Sequence, residues 1–425
     1  MCKYLKLSNC NIIVIDNSHQ NHYNGKRDFM QRSIPMVDYK EIMRYEIDDR
    51  KWCAGVNMLV LKNGKEVAYE EYGYRDLENK IPFSRDTIMR LYSMSKPITA
   101  AAVMILVDRG LLDLASCICW MLPGFSEAYY RTSDNKRIKA TQQITIKDLL
   151  NMTSGLPYPS DGERFQEVNN LFRELGQRLE TDNPMTTAEW ALRMGKVDPI
   201  FNPGDEFAYG TSADLLGYIV EYVSGMKFGE FLKKEIFEPL GMTDTGFFVE
   251  NSKQSRVAKI YTTDYASWSV KPVVTNHLGI RYDLKPNAFE SGGAGLCSTL
   301  DDYAKFATML MNGGELNGVR ILSKGAVEYM TTASLTPWQK ESFNRGWRSL
   351  TGFSYGNLMR NLTDPGQAHV LGEAGEYGWD GWLGCYFENY PKSGLTILIG
   401  MQRADCGTCT LTRKLVNAIR HNILG

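Results

Sequence analysis

Two runs rich in residues that favour β-strands lie near the start of the chain, at the spacing of paired strands. They are residues 56–61 and 67–72. Between them lie Asn63 and Gly64, residue types that suit the positive φ angles of a tight turn. The pattern predicts a β-hairpin in this region.

A second pair of such runs lies near the other end of the chain. Residues 384–390 and 395–401 are separated by the turn-forming sequence Pro-Lys-Ser-Gly. They predict a second hairpin, and the periodic segment 411–423 predicts a helix after it.

Helical spacing of apolar residues dominates between the two hairpins. The predicted helices are residues 98–109, 146–152, 213–224, 228–236 and 300–312. Strands at both ends with helices between them predict an α/β chain of the α+β type. Its antiparallel sheet is formed by both chain ends and flanked by helices, and a mainly helical domain is inserted. A cleft between sheet and helical domain is the expected substrate site.

We expect three parts along the chain. Residues 1–33 are polar and lack sustained periodicity, which predicts a loosely attached N-terminal extension. The α/β sheet domain is assigned to residues 34–100 plus 290–425. The mainly helical domain is assigned to residues 101–289.

The composition indicates a folded protein that acts on a small molecule. Hydrophobic residues make up 43% and charged residues 23% of the 425 positions, so the chain can bury a sizeable core. Lys plus Arg total 48 against 49 Asp plus Glu, and no charge excess favours nucleic acid or an anionic membrane as partner. A small neutral or mixed substrate is expected, and the oligomeric state is left open.

Cysteine usage and short apolar runs predict a cytoplasmic protein. The nine cysteines are odd in number and scattered, which favours reduced thiols. Cys406 and Cys409 form a Cys-x-x-Cys pair, but no second pair or neighbouring histidine stands at zinc-site spacing, so no metal is predicted. The apolar run 12–15 is too short for a signal peptide, and no stretch approaches the roughly 20 apolar residues of a membrane span.

The candidate chemistry is that of an activated serine. A serine hydroxyl is a weak nucleophile at neutral pH and needs a base within hydrogen-bonding reach. The five histidines are accompanied by no Gly-x-Ser-x-Gly elbow, which disfavours a histidine-based triad. A lysine three residues after a serine on a helix lies on the same face and can serve as base if burial lowers its pKa. Ser93 and Lys96 have this Ser-x-x-Lys spacing.

The same spacing occurs twice more, so the surroundings must distinguish the three pairs. Residues 133–136 lie in a polar run predicted to be an exposed loop, and residues 224–227 cross a glycine at a predicted helix end. Ser93 follows apolar residues and precedes Pro97, which suits the first turn of a helix. A free N–H and the helix dipole can stabilise negative charge there. The alternative is that this serine simply caps a core helix.

The segment 89–102 (MRLYSMSKPITAAA) resembles the first motif of serine β-lactamases, penicillin-binding proteins and family VIII carboxylesterases. Four later stretches resemble typical segments of the same superfamily in the same order: residues 144–158, 201–217, 238–246 and 292–318. The resemblance covers residues 40–425 and implies a β-lactamase/transpeptidase-like fold. It also implies an acyl-enzyme on Ser93, Lys96 as base, and no metal or organic cofactor.

The resemblance extends to the second motif of this superfamily, Tyr-x-Asn or Tyr-x-Ser, whose tyrosine relays protons to the leaving group. The matching residue is Tyr209. Thr211 stands where other members carry asparagine, which weakens the amide recognition that β-lactamases make there. Ser212 is expected to compensate in part, so both side chains are candidate substrate contacts.

The third motif, usually Lys-Thr-Gly or His-x-Gly, is here Trp379-Asp380-Gly381. The stretch 377–384 resembles the tryptophan-containing version in family VIII carboxylesterases and a related fungal statin acyltransferase. Indole donates one hydrogen bond and carries no charge, so a substrate carboxylate loses its anchor while an apolar acyl ester gains aromatic surface. The alternative is a tryptophan that is merely buried in the sheet.

The same stretch supplies further candidate substrate contacts. Gly381 lets the backbone run close to the substrate. By resemblance, the backbone N–H of Trp382 joins that of Ser93 as the oxyanion hole. Asp380 stands where the carboxylesterases commonly have glycine, and neither spacing nor resemblance explains it.

The sequence therefore predicts a serine hydrolase that cleaves carboxylic esters of small acyl groups through Ser93. Three alternatives stay open. They are an acyltransferase to an alcohol acceptor, a β-lactamase or D-amino-acid peptidase, and an inactive binding module of the same fold.

Overall fold

In this computed structural model, which describes residues 35–425, most strand residues lie in one antiparallel sheet. The strands of the described residues are β1 (Gly55–Lys62), β2 (Lys65–Asp76), β3 (Ile81–Pro82), β4 (Met89–Arg90), β5 (Tyr129–Arg131), β6 (Arg137–Lys139), β7 (Tyr261–Asp264), β8 (Ser269–Pro272), β9 (Cys297–Ser298), β10 (Glu315–Leu316), β11 (Val319–Arg320), β12 (Phe353–Gly356), β13 (Met359–Leu362), β14 (Tyr377–Asp380), β15 (Tyr386–Tyr390) and β16 (Leu395–Met401). Eight of them form the main sheet in the order β12-β13-β14-β15-β16-β1-β2-β3. The two ends of the chain therefore meet where β1 pairs with β16.

Helices flank this sheet. Those of the described residues are α1 (Tyr39–Arg44), α2 (Ser95–Asp108), α3 (Ile146–Asn151), α4 (Gln166–Arg178), α5 (Thr187–Met194), α6 (Ser212–Ser224), α7 (Phe228–Leu232), α8 (Glu238–Leu240), α9 (Leu300–Met311), α10 (Lys324–Met330), α11 (Pro337–Gly346) and α12 (Thr410–Leu424). Each helix predicted from periodicity is present. The one predicted over residues 228–236 changes after α7 into a π-helical turn, Lys233–Phe237.

Both predicted hairpins are confirmed. β1 pairs with β2 and β15 pairs with β16, each pair antiparallel. In the first turn Asn63 and Gly64 have φ angles of 50° and 75°, the left-handed conformation expected for these residue types.

The central strand β1 is buried on both faces of the sheet. Leu59 and Leu61 belong to a core that includes α2 and α9, whereas Met58 and Val60 pack with α1 and α12. Successive side chains of a strand point to opposite faces, so burial on both sides requires an almost continuous apolar run. This arrangement explains the sequence pattern from which the strand was predicted.

The predicted fold class is confirmed: a large antiparallel sheet formed by both ends of the chain and flanked by helices. The division into a sheet domain and an inserted helical domain stays a prediction. The predicted N-terminal extension, residues 1–33, lies outside the described residues. Among residues 35–425, no helix has the length and hydropathy required to cross a bilayer.

The cysteines differ in one respect from the expectation of reduced thiols. Cys117 and Cys119 form a disulfide, with Cα atoms 5.3 Å apart. This separation lies within the range that a disulfide spans, which the spacing in sequence does not reveal. Of the cysteines that the structure describes, the remaining five, Cys406 and Cys409 among them, are free.

Candidate active site

Ser93 lies where the predicted helix begins. The short strand β4 leads into a 3-10 turn, Tyr92–Met94, and α2 starts at Ser95. Tyr92, directly before Ser93, is buried and has a φ of 46°, a left-handed conformation that non-glycine residues rarely adopt. Ser93 is half-buried and lines a cavity of about 600 Å³.

Lys96 is completely buried and lies beside this serine. Its Nζ is 3.2 Å from Ser93 Oγ, 2.8 Å from the carbonyl oxygen of Gly293 and 3.3 Å from Tyr158 Oη. Burial lowers the pKa of Lys96 to about 7, although the charges of Asp214 and Asp380 act in the opposite direction. A substantial fraction of this amine is therefore neutral near pH 7, the state that a general base requires.

Tyr209 lies just before α6, and its side chain reaches the Ser93 hydroxyl. Its hydroxyl hydrogen-bonds with the Ser93 hydroxyl and accepts a hydrogen bond of 3.0 Å from Trp379 Nε1. Its ring centroid is 4.6 Å from Lys96 Nζ. Burial raises the pKa of Tyr209 far above its ordinary value, so the phenol keeps its proton at neutral pH.

An aromatic wall surrounds this tyrosine. Trp379, on β14, is buried, and its ring centroid lies 5.6 Å from Tyr209 and 5.6 Å from Trp347. Phe172 and Trp382 also line the cavity. The cavity therefore offers a large aromatic surface next to Ser93.

Gly381 brings the end of β14 against the segment that carries Ser93. A Cβ atom at this position would lie 2.2 Å from the carbonyl oxygen of Leu91, so only glycine permits the contact. The next residue, Trp382, lines the cavity together with Ser93. Among the hydrogen bonds of the described residues, neither the Ser93 nor the Trp382 backbone N–H donates to a protein acceptor.

The Trp382 ring is held by its neighbours. It stacks on His277 at a centroid distance of 4.4 Å and lies 5.0 Å from Tyr92. Its Nε1 donates a hydrogen bond of 2.7 Å to Asp405. These contacts hold the Trp382 ring in place in the cavity wall.

Asp380 lies at the cavity wall and is only partly exposed. Its carboxylate accepts hydrogen bonds from Thr408 and, at 3.3 Å, from the buried Arg360. The guanidinium of Arg360 also binds Glu388 at 2.6 Å. Asp380 thus links the end of β14 to a neighbouring loop and to a buried ionic group, which accounts for a residue that the sequence left unexplained.

Two of the predicted substrate contacts do not reach the cavity. Thr211 and Ser212 are fully buried, and neither belongs to the cavity lining. The Ser212 hydroxyl pairs with Ser154 Oγ at 2.9 Å instead. Both residues lie at the start of α6, where the first turn directs their side chains into the core.

In the other two serine–lysine pairs the lysine is exposed, as predicted. Ser133 and Lys136 are exposed, and Lys136 binds Asp134 at 2.7 Å. Lys227 is exposed beyond the end of α6. Of the three pairs, only Ser93 with Lys96 combines a cavity with a buried amine.

Three residues near the site were not predicted. Tyr158 and Asp214 fall inside the family-like stretches, but nothing in their spacing connects them to Lys96. Trp347, directly after α11, carries no sequence signal. The chain brings these residues to the site only through tertiary packing.

Comparison with known proteins identifies the family of this chain. The family model Beta-lactamase matches residues 40–407, and the chain belongs to this family of serine hydrolases. Protein Rv1367c of Mycobacterium tuberculosis is 31% identical over 370 residues, which cover 84% of this chain and 88% of that protein. Esterase EstB of Burkholderia gladioli is 27% identical over 365 residues, covering 81% and 85%.

A solved structure shows the same fold. EstCE1, described as a hydrolase with promiscuous acyltransferase activity, superposes with a TM-score of 0.75 at 23% identity. The alignment covers 91% of this chain and 97% of that one.

Proposed function

We propose that this chain is a carboxylesterase that forms an acyl-enzyme on Ser93. The observation that carries the proposal is the buried amine of Lys96, 3.2 Å from Ser93 Oγ, with its pKa lowered to about 7. A lysine in this state can accept the serine proton. The esterase named among the relatives, EstB, supports the same reaction class.

In the proposed mechanism, Lys96 takes the Ser93 proton as Ser93 Oγ attacks the ester carbonyl. The backbone N–H groups of Ser93 and Trp382, which lack protein acceptors among the described residues, would stabilise the oxyanion. The proton held by Lys96 then reaches the departing alkoxide through Tyr209. Water then attacks the acyl-enzyme and gives a proton to Lys96. As the bond between the acyl carbon and Ser93 Oγ breaks, Lys96 returns that proton to Ser93 Oγ, and the acid leaves.

Tyr209 is suited to this proton transfer by its partner Trp379. An indole N–H can only donate, so the phenol oxygen accepts from it at 3.0 Å. The phenol can therefore donate its own proton to Ser93 Oγ or to the leaving group of the substrate. Trp379 therefore orients the tyrosine in addition to forming the cavity wall.

The cavity favours neutral esters over substrates that carry a carboxylate. Among the described residues that line it, the ionisable groups include Asp380 and Asp405 but no lysine or arginine. A carboxylate would meet aromatic rings and like charge in place of a cation. The cavity, about 600 Å³, accommodates a small or medium acyl group with its alcohol.

The decisive experiment combines covalent labelling with turnover. A fluorophosphonate probe should label the wild type and the Ser133→Ala control but not Ser93→Ala. The wild type and Ser133→Ala should also cleave nitrophenyl esters of increasing acyl length, whereas Ser93→Ala should not. Ser133 is a matched control because it has the same spacing to a lysine on an exposed loop.

The other outcomes identify the alternatives. Cleavage of a chromogenic cephalosporin at a rate rivalling that of simple esters would support a β-lactamase and overturn the proposal. Faster release of nitrophenol with an added alcohol, together with a new ester, would indicate an acyltransferase. Absence of labelling in the wild type would indicate an inactive binding module.

A further inference from the structure

The buried amine of Lys96 has more than one polar neighbour, and their arrangement determines the direction in which it can act as a base. A neutral amine has two N–H donors and one lone pair. The carbonyl oxygen of Gly293 can only accept, so one N–H is directed there, at 2.8 Å. The second N–H and the lone pair are left for Ser93 Oγ at 3.2 Å and Tyr158 Oη at 3.3 Å.

Either of these two hydroxyl groups could donate to the lone pair. If Tyr158 donated, the lone pair would face the wrong hydroxyl, and Ser93 would have no base. If Ser93 donates, the amine is aligned to remove its proton. The proton of Tyr158 must therefore be engaged elsewhere for Lys96 to activate Ser93.

Asp214, in the first turn of α6, supplies that second partner. Its carboxylate is buried and accepts the Tyr158 hydroxyl, the Ser291 hydroxyl and, at 3.0 Å, the backbone N–H of Gly293. A phenol has one proton, and a carboxylate can only accept. The Tyr158 oxygen is thus left as an acceptor for the second N–H of Lys96.

Gly293 makes this arrangement possible. A Cβ atom there would lie 2.7 Å from Tyr158 Oη and 3.0 Å from Asp214 Oδ2. The same backbone segment therefore holds Lys96 through its carbonyl and Asp214 through its N–H. The four groups form one connected hydrogen-bond network behind the serine.

We propose that Tyr158 and Asp214 are positioning residues that turn the lone pair of Lys96 toward the Ser93 hydroxyl. This inference rests on the proposed function of Ser93 and Lys96. Neither residue takes the serine proton itself. Their hydrogen bonds leave the Ser93 hydroxyl as the one group that can donate a proton to the lone pair of Lys96.

Asp214 has a second effect that can be measured separately. Its negative charge raises the pKa of Lys96, against the larger effect of burial, and the charge of Asp380 acts in the same direction. The other titratable groups that face this amine are Tyr158 and Tyr209, both of which keep their protons because burial raises their pKa values. Removing the charge of Asp214 should therefore lower the pH at which Lys96 becomes neutral.

The test measures the second-order rate of fluorophosphonate inactivation against pH, with nitrophenyl ester turnover in parallel. For Tyr158→Phe we expect a plateau rate about 10- to 100-fold lower, with KM changed less than about twofold. Asp214→Asn should lower the plateau similarly and also move the rising limb of the profile to lower pH. Tyr218→Phe, elsewhere on α6, and Asp302→Asn, a buried carboxylate on α9, are the matched controls and should change neither quantity.

Several results would overturn the inference. One is a Tyr158→Phe enzyme with the wild-type rate and profile. Another is that both variants lose activity only in proportion to a lowered Tm, while the rising limb of the pH profile does not move. That result would indicate a purely structural role. If Asp214→Asn does not fold, Tyr158→Phe decides the question, because it removes only the hydroxyl. An unlabelled wild type would instead refute the proposed function, so the two failures are distinguishable.

Discussion

At the scale of single residues, the environment of Lys96 matters more than its distance from Ser93. A lysine in water holds its proton far above neutral pH and cannot act as a base. Burial of the whole side chain removes the water that would stabilise the ammonium. The carbonyl oxygen of Gly293 keeps the buried amine hydrogen-bonded in either state.

The pH dependence of acylation follows from this burial. We expect kcat/KM for a neutral ester to rise with pH through about 7 and then level off, because Lys96 must lose its proton to accept one from Ser93. The measurement is a pH–rate profile of nitrophenyl ester cleavage. Lys96→Arg keeps a cation that does not deprotonate and should be inactive across the range. A rising limb near the pKa of a free lysine would contradict the assignment.

The indole N–H of Trp379 gives a second prediction at this scale. Trp379→Phe keeps an aromatic ring in the wall but removes the hydrogen bond to Tyr209 Oη. We expect kcat to fall about tenfold with a small change in KM, because the tyrosine loses its orientation while the binding surface remains. Steady-state kinetics with one nitrophenyl ester measures both values.

The control for this substitution is Trp338→Phe, since Trp338 is exposed on α11. It should leave both constants unchanged. A rise in KM without loss of kcat in Trp379→Phe would show that the indole binds substrate and does not orient Tyr209.

At the scale of elements, the site depends on how closely β14 approaches the turn before α2. Gly381 sets this distance, because the backbone of its strand end lies directly against the carbonyl group of Leu91. Trp382, the proposed second oxyanion donor, follows at once. The approach of two elements therefore determines whether the two N–H groups can face the same oxygen.

Gly381→Ala tests this contact. The added methyl group would overlap Leu91, so the strand end must move, and we expect ester turnover to fall more than about tenfold together with a lower Tm. Gly176→Ala, in α4, is the matched control because its added Cβ has no atom within 4 Å apart from those of its chain neighbours and the backbone of its own helix. It should keep full activity and gain up to about 1 kcal/mol of helix stability. Wild-type activity in Gly381→Ala would show that the close approach is dispensable.

At the scale of the whole molecule, an ionic group joins three neighbouring strands of the sheet and includes Asp380 of the cavity wall. Arg360 on β13 binds Glu388 on β15 and Asp380 at the end of β14. Glu376 lies next to them and is also fully buried. Burial, together with the charge of Glu388, raises the pKa of Glu376 above its ordinary value.

This shift makes stability depend on pH. Because the folded state holds the Glu376 proton more tightly than the unfolded chain, its contribution to stability is complete at acidic pH and is lost as pH rises. Glutamine cannot titrate, so Glu376→Gln does not lose this contribution as pH rises. The free energy of unfolding of the variant minus that of the wild type should therefore increase between roughly pH 5 and pH 8. Urea denaturation of both proteins at these two pH values measures the difference. Glu328→Gln, an exposed control on α10, should differ from the wild type equally at both pH values. A difference that does not change with pH in Glu376→Gln would contradict the prediction.

The sequence by itself determined the features that depend on near neighbours. Hairpins follow from alternating or continuous apolar runs around an Asn-Gly or Pro-Lys-Ser-Gly turn, and the helices follow from periodicity. The pairing of Ser93 with Lys96 could be predicted for the same reason, since three residues span less than one helical turn. Tyr209 and Trp379 were predicted only through resemblance, because no local rule connects them to Ser93.

Only the tertiary structure decided which other groups surround the amine of Lys96. Tyr158 and Asp214 lie 62 and 118 positions further along the chain, and their hydrogen bonds depend on how three segments pack. The same packing buries Thr211 and Ser212, which the resemblance had placed against substrate, and gives Asp380 its partner Arg360. Spacing along the chain determines contacts within one turn or hairpin, whereas contacts between distant segments depend on the packing of the whole core.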